Sequence, residues 1–242
     1  MGIECMETAE YTQMDAVEDT MWWYRALHGR LLHALEDVQG RILDAGCGTG
    51  GFLKHLRFER PDLQLYAIDW YSVAAARASV KASVPTAAAS VEALPFPDRS
   101  FDAVVSADVL CHRSLDPEVA VLEMQRVLRP GGKLILNLPA FDWLKSAHDR
   151  RVHTARRFTA SDVRELLRTC GFTNISADYW NAILLPLMVV ERKLVARGST
   201  RSDVRPFHPF VDAIFFGATE IERSLPFRLP AGGSLMALAS AP

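Results

Sequence analysis

The sequence predicts a doubly wound α/β fold: a mainly parallel, seven-stranded sheet with helices on both faces and a helical cap near the end of the chain. Three observations carry the prediction. Apolar runs of strand length alternate with stretches of helical periodicity, a glycine-rich turn follows the first such run, and 242 residues with 49% hydrophobic content can bury one sizeable core.

Ahead of the sheet, Val17, Met21, Tyr24, Leu27, Leu31, Leu35 and Val38 recur at steps of three and four, which predicts one amphipathic helix ending at Gly40. Residues 1–40 are therefore expected as an N-terminal helical lid. Residues 41–45 read as the first strand and 46–51 as the glycine loop; Phe52, Leu53 and Leu56 mark the helix after it. Residues 63–69 give a second strand, 72–82 an alanine-rich helix and 86–89 a short third strand. Residues 101–106 form a buried-type strand, 117–128 a helix with Pro117 in its first turn, and 133–138 a strand after the Pro130-Gly131-Gly132 turn. Thr159 and Asp162 cap a helix whose Val163, Leu166, Leu167 and Cys170 face inward, and Gly171 stops it. A sixth strand at 172–180 completes a core of residues 41–180. Helical stretches at 187–197 and 209–224, joined by the polar linker 198–203, make residues 181–229 a cap insertion. A last strand at 233–239, within residues 230–242, returns to the sheet.

Composition excludes several classes of function. Lys and Arg number 27 against 29 Asp and Glu, a net charge of −2, so no basic field awaits a phosphate backbone and nucleic acid is not the expected partner. Cys5, Cys47, Cys111 and Cys170 lie far apart without ligand spacing, which suggests neither a disulfide framework nor a metal site. Glu4, Glu7 and Glu10 stand where a secretory signal would carry basic and then apolar residues. The apolar stretch 182–190 is too short to span a bilayer and contains Pro186. A cytoplasmic protein acting on a small molecule is expected. The apolar surplus of the cap, with Phe207, Phe210, Ile214, Phe215 and Phe216, is open to several uses: packing, a lipophilic tunnel, a dimer face, or a peripheral membrane contact with Arg192, Lys193, Arg197 and Arg201 outward. The oligomeric state is not readable.

The glycine loop carries the chemistry. Gly46, Gly48 and Gly51 satisfy the G-x-G-x-x-G pattern, in which glycines permit a tight turn and a close ligand. Asp44, two residues before it, would oppose a pyrophosphate and welcome a cation. S-adenosylmethionine, with a sulfonium, an ammonium and no phosphate, suits that site better than a dinucleotide. Asp69, nineteen residues past Gly50, is placed to accept from ribose hydroxyls, and Trp70 to pack on an adenine face.

The run Leu43-Asp44-Ala45-Gly46-Cys47-Gly48-Thr49-Gly50 resembles the loop motif of class I, Rossmann-like S-adenosylmethionine-dependent methyltransferases. Residues 92–102 and 126–132 are similar to that family's adenine-side loop and to its turn before the fifth strand. The resemblance implies a sheet whose last strand is antiparallel, S-adenosylmethionine as cofactor and S-adenosylhomocysteine as product. It further implies that Asp44, Gly46, Cys47, Gly48 and Gly50 hold the methionine moiety, that Asp69 holds the ribose, and that Ser106 floors the sulfonium. Ser90 occupies a position where relatives commonly place an acid, so Ser90, Val91 and Glu92 together are the adenine-side candidates.

Methyl transfer is an in-line displacement that needs a base only for a poorly ionised nucleophile. His112, after the fourth strand, is one candidate base; His148 or His153, oriented by Asp149, is another. Arg156 and Arg157 are candidates for an anionic substrate group, with Trp143 at the same mouth. On the first helix, Trp22, Trp23 and Tyr24 are expected over the substrate and Arg25 at the methionine carboxylate. Cys111 flanks the pocket without an argued base. Ser106-Ala107-Asp108-Val109 stands where amino-group methylases carry Asn-Pro-Pro-Tyr, which leaves oxygen or carbon acceptors ahead. The alternatives are a cyclase or binding module on the same fold and a nicotinamide-dependent oxidoreductase, against which Asp44 counts.

Overall fold

The computed structural model describes residues 8–145, 149, 153–192 and 206–242. Its sheet is built from β1 (Arg41–Ala45), β2 (Gln64–Asp69), β3 (Thr86–Ala88), β4 (Phe101–Ala107), β5 (Leu128–Pro139), β6 (Thr173–Trp180) and β7 (Ser234–Ser240). The strand order is β3-β2-β1-β4-β5-β7-β6. All neighbours from β3 to β5 run parallel, and β7 is antiparallel to both β5 and β6. The order reverses between β1 and β4, so the connections leaving those strands diverge to opposite faces and open a crevice at their carboxyl ends. β5 begins at Leu128, earlier than the expected residue 133, because Leu128 already pairs with Phe101 before a register shift.

The helices are α1 (Thr8–Val17), α2 (Trp22–Ala34), α3 (Gly51–Glu59), α4 (Ser72–Ala82), α5 (Pro117–Val127), α6 (Ala160–Thr169), α7 (Leu185–Val190) and α8 (Pro209–Arg223). The sheet divides the core in two. One face packs Leu43, Val104 and Leu134 against Met124 of α5 and Val163 of α6; the other packs Ile42, Val105 and Ile135 against Leu31, Leu53 and Ala78 of α2, α3 and α4. Neighbours in β1 and β4 thus alternate between faces that are both covered, as a parallel sheet requires.

The caps explain where helices begin. At α6, Thr159 and Asp162 form the expected reciprocal box, with Asp162 Oδ2 accepting from the Thr159 N–H at 2.9 Å. The N-terminal helix is divided, contrary to the single helix expected from Val17 to Gly40. Met21 is extended, and the Trp22 N–H donates to Asp212 Oδ1 of α8 at 2.7 Å. A carboxylate far along the chain therefore starts α2. Of the expected 187–197 helix, α7 ends at Val190; residues 193–205, including the expected linker, lie outside the described residues. Among the described residues, no helix is long and apolar enough to cross a membrane.

Gly50 shows how tightly the loop is built. Its φ is +91°, and an added Cβ would lie 2.7 Å from Ala78 Cα. The obstruction is backbone, which cannot swing aside. Gly50→Ala should lower stability by about 2–4 kcal/mol, read from the urea midpoint at constant slope; an unchanged midpoint would contradict this packing.

Candidate functional site

A cavity of about 430 Å³ lies at the carboxyl edge of the sheet, where β1, β2 and β4 end, and α1 and α2 also contribute to its walls. At its base Gly46 adopts φ +101°, and an added Cβ would sit 2.2 Å from Val109 Cγ2. Glycine thus lets the loop after β1 lie directly against the loop after β4. The Gly46 and Cys47 N–H groups both donate to the Ile68 carbonyl at 2.9 Å, which ties the loop to β2.

Two aspartates at neighbouring strand ends are treated differently. Asp69 accepts from the Gly48 N–H at 2.8 Å, the Tyr71 N–H at 2.9 Å and the Tyr11 hydroxyl at 3.3 Å. Burial raises its pKa and these three donors oppose the rise. Asp44 is only 4% exposed, and no donor among the described residues reaches it. Burial first, then repulsion from Asp69 and Glu18, pushes its pKa up to about 8. A cationic group beside it would restore its charge, so the donor set fits a sulfonium or ammonium and not a phosphate.

Most cofactor-side expectations reach this cavity. Gly46, Cys47, Gly48, Trp70, Ser90, Val91 and Glu92 line it beside Asp44 and Asp69. Ser90 Oγ accepts from the Glu92 N–H at 3.1 Å, and Glu92 Oε1 accepts from the Asp116 N–H at 2.8 Å. Three expectations are corrected. Ser106 Oγ donates to the Ala45 carbonyl at 2.7 Å, a bond between β4 and β1, and Ala107, Asp108 and Val109 line the cavity instead. Gly50 sits behind the loop against Ala78. Arg25 is exposed, pairs with Asp212 at 3.4 Å and lies over the Phe216 ring at 3.9 Å, so α8 draws it away from the cavity.

On the acceptor side, Trp22, Trp23, Tyr24, Cys111 and His112 line the cavity as expected. His148 lies outside the described residues, and His153 is not in the lining. Asp149, expected to orient a histidine, forms a two-point ion pair with Arg157, Nε at 2.8 Å and Nη2 at 3.0 Å. Arg157, expected for an anionic substrate, also gives Nη1 to the Ala140 carbonyl at 3.0 Å. Both are buried, and a buried guanidinium holds the carboxylate and carbonyl that compensate its lost water. Arg156 and Trp143 lie outside the lining; Trp143 is half exposed and stacks on Phe141.

Several lining residues were not anticipated. Tyr11 and Met14 come from α1, which carried no expected helical pattern, and Glu18 follows it, bonded to Thr49 Oγ1 at 2.7 Å and Lys81 Nζ at 2.6 Å. His28 is buried beside Phe52 and His55, and desolvation pushes its pKa down to about 3, which keeps it neutral. Asp108, in the loop after β4, is the most consequential omission. Its N–H donates to the Asn137 carbonyl at 2.8 Å, and its Oδ2 accepts from Asn137 Nδ2 at 3.1 Å. Trp180 Nε1 donates in turn to Asn137 Oδ1 at 2.8 Å. An asparagine in the otherwise apolar run 134–138 was the available signal.

The methyltransferase-domain family matches residues 43–136, from the start of the loop motif to the middle of β5. The chain is 29% identical over 191 residues to the malonyl-(acyl-carrier protein) O-methyltransferase of Alcanivorax borkumensis, covering 72% of this chain and 63% of that protein. It is 37% identical over 123 residues to the demethylmenaquinone methyltransferase of Thermus thermophilus, covering 49% and 54%. The chain thus spans less than two thirds of the length of these curated relatives. Among solved structures, the phosphoethanolamine N-methyltransferase 2 of Haemonchus contortus, in complex with S-adenosyl-L-methionine, has the same fold. Its TM-score is 0.61 at 18% identity, over 91% of this chain and 53% of that one.

Asp44 ionises at about 8 in the fold and at the ordinary 3.8 when unfolded, so only the unfolded chain has lost this proton between those values. Stability therefore falls as pH rises through that window. Asp44→Asn should melt higher than the parent at pH 8, with the gain shrinking towards pH 4 in thermal scans. Ser106→Ala should cost about 1 kcal/mol while leaving affinity for S-adenosylhomocysteine within about twofold, by denaturation and calorimetry. Asp44, which no donor among the described residues satisfies, lies inside the segment matched as a methyltransferase domain and is accounted for by a cationic cofactor, and residues 43–136 belong to the class I S-adenosylmethionine-dependent methyltransferase family.

Proposed function

We propose that the protein transfers a methyl group from S-adenosylmethionine to an oxygen or carbon of a small, neutral and partly apolar molecule. The observation that carries this reading is Asp44, buried at the cavity edge with no donor among the described residues. Asp44 would face the positive part of the cofactor, Gly46 and Gly48 would let it approach the backbone, and Asp69 would accept from ribose hydroxyls. Ser90, Val91, Glu92 and Trp70 would border the adenine. The bound cofactor supplies a methyl group already activated on sulfur.

The chain's own residues have the remaining tasks of orientation, water exclusion and proton removal. Trp22, Trp23, Tyr24, Leu27 and Leu31 wall the cavity with apolar surface. Residues 1–40 act in this reading as a lid over a core of residues 41–180 and 230–242, with 181–229 as the cap. Glu10, Glu18, Asp44, Asp69, Glu92, Asp108, Asp149 and Glu191 line the same space against Arg157 and Arg192, and Arg157 is already spent on Asp149. This surplus of carboxylates disfavours an anionic acceptor and favours a neutral lipophile, of the kind named for the demethylmenaquinone enzyme over the malonyl group named for the other relative. His112 is the lining histidine among those considered for proton removal, and it shares its wall with Asp108.

Calorimetry should show saturable binding of S-adenosylmethionine and S-adenosylhomocysteine and none of NADH. Asp44→Asn should weaken both adenosyl ligands about tenfold or more. No heat at millimolar S-adenosylmethionine would end this reading.

A further inference from the structure

We propose that Asp108 is the catalytic base of this cavity: held by Asn137, and through Asn137 by Trp180, it takes the proton of a phenol or enol hydroxyl as that oxygen is methylated. The proposal rests on the methyltransferase reading above and adds the acceptor class and the destination of the proton.

The geometry is a hydrogen-bond chain across three strand ends. Trp180 terminates β6, Asn137 lies near the end of β5, and Asp108 follows β4. An indole N–H can only donate, so Trp180 Nε1 fixes Asn137 with its oxygen towards the indole and its NH₂ towards Asp108. The chain therefore presents a donor to the carboxylate and favours its ionised form. Asn137 is fully buried, so its amide has no water as an alternative partner. The same residue also receives the Asp108 N–H, which holds the aspartate from both its backbone and its side chain at φ +57°. Asp108 lines the cavity, and no donor among the described residues reaches its Oδ1. One oxygen is clamped and the other is available to a hydroxyl.

Other groups near Asp108 are less suited to the task. Asp149 and Arg157, after β5, neutralise each other. Tyr24 of α2 and Cys111 of the same loop are held protonated by burial, the thiol pushed up to about 12. His112 shares the wall and is the competitor to be tested. In the step, the hydroxyl proton passes to Asp108 Oδ1 and the oxygen lone pair forms the bond to the methyl carbon. The methyl–sulfur bond breaks with its pair returning to sulfur, leaving S-adenosylhomocysteine. Burial, reinforced by Asp149 and opposed by Asn137 and Arg157, pushes Asp108 up to about 7, a basicity matched to phenols and enols and not to aliphatic alcohols.

The test uses full-length protein carrying carbon-13 at the aspartate side-chain carboxyls and saturated with S-adenosylhomocysteine, titrated by NMR from about pH 4 to about pH 9. The signal missing from Asp108→Asn should titrate near 7 in the parent. Its midpoint should rise by about half a unit or more in Asn137→Ala, and by less in Trp180→Phe, which keeps an aromatic ring and removes the N–H with the rest of the pyrrole. With para-nitrophenol and hydroxycoumarin as probe acceptors, the acid limb of kcat/KM should move with those midpoints. Asp108→Asn should lower kcat/KM about a hundredfold or more with S-adenosylhomocysteine affinity kept within about twofold. A midpoint near 3.8, or one that neither variant moves, overturns the proposal, as does an acid limb kept in Asp108→Asn and lost in His112→Ala. Failure of the parent to bind S-adenosylhomocysteine would overturn the methyltransferase reading itself, whereas retained binding with a midpoint near 3.8 overturns the proposal alone.

Discussion

Carboxylates withdrawn from water at the carboxyl edge of a parallel sheet are the constraint on which this molecule turns. β1, β2 and β4 end side by side, and each delivers an aspartate at or near its end: Asp44, Asp69 and Asp108. Desolvation opposes ionisation at all three, and repulsion from a neighbouring carboxylate adds to it at Asp44 and Asp108. The chain compensates them unequally. Asp69 receives three donors, Asp108 receives one side-chain amide, and Asp44 receives none among the described residues. In the proposed reading that inequality orders their chemistry: a shaped acceptor for neutral hydroxyls, a poised proton acceptor, and a carboxyl that a cation would ionise.

The parts of this arrangement written in local pattern were legible in the sequence. The glycine turn after β1, the positions of Asp44 and Asp69 at strand ends and the Thr159–Asp162 box are local in pattern, and the structure places them there. What escaped depends on partners far along the chain. Arg25 was assigned to the ligand, but Asp212 of α8 takes it at 3.4 Å. Ser106 was assigned to the floor, although a buried hydroxyl takes the nearest carbonyl, here that of Ala45. The Trp180–Asn137–Asp108 chain joins residues from three strands, and periodicity cannot show which side chains meet where those strands end.

The cap also proves to organise what precedes it. Asp212 of α8 starts α2, and Glu222 of the same helix accepts from the Asn181, Ala182 and Ile183 N–H groups, where β6 gives way to α7. Arg30 of α2 donates to the Thr219 carbonyl of α8 and lies over the Trp180 ring at 4.5 Å. Trp23 stacks on that ring, so the N-terminal helices, the cap and the strand end carrying Trp180 form one packed unit. The geometry of the acceptor wall is thus set from both ends of the sequence.

Tyr11 brings one more consequence. Its hydroxyl already rests on Asp69 Oδ1, where an incoming diol would rest. Arrival of a sugar there is an exchange of one hydroxyl for another, with little net gain from that oxygen. Vicinal diols of many kinds would be welcomed almost equally at this spot, and discrimination between nucleoside-like visitors falls to the neighbouring strand end, where only a positive charge is rewarded.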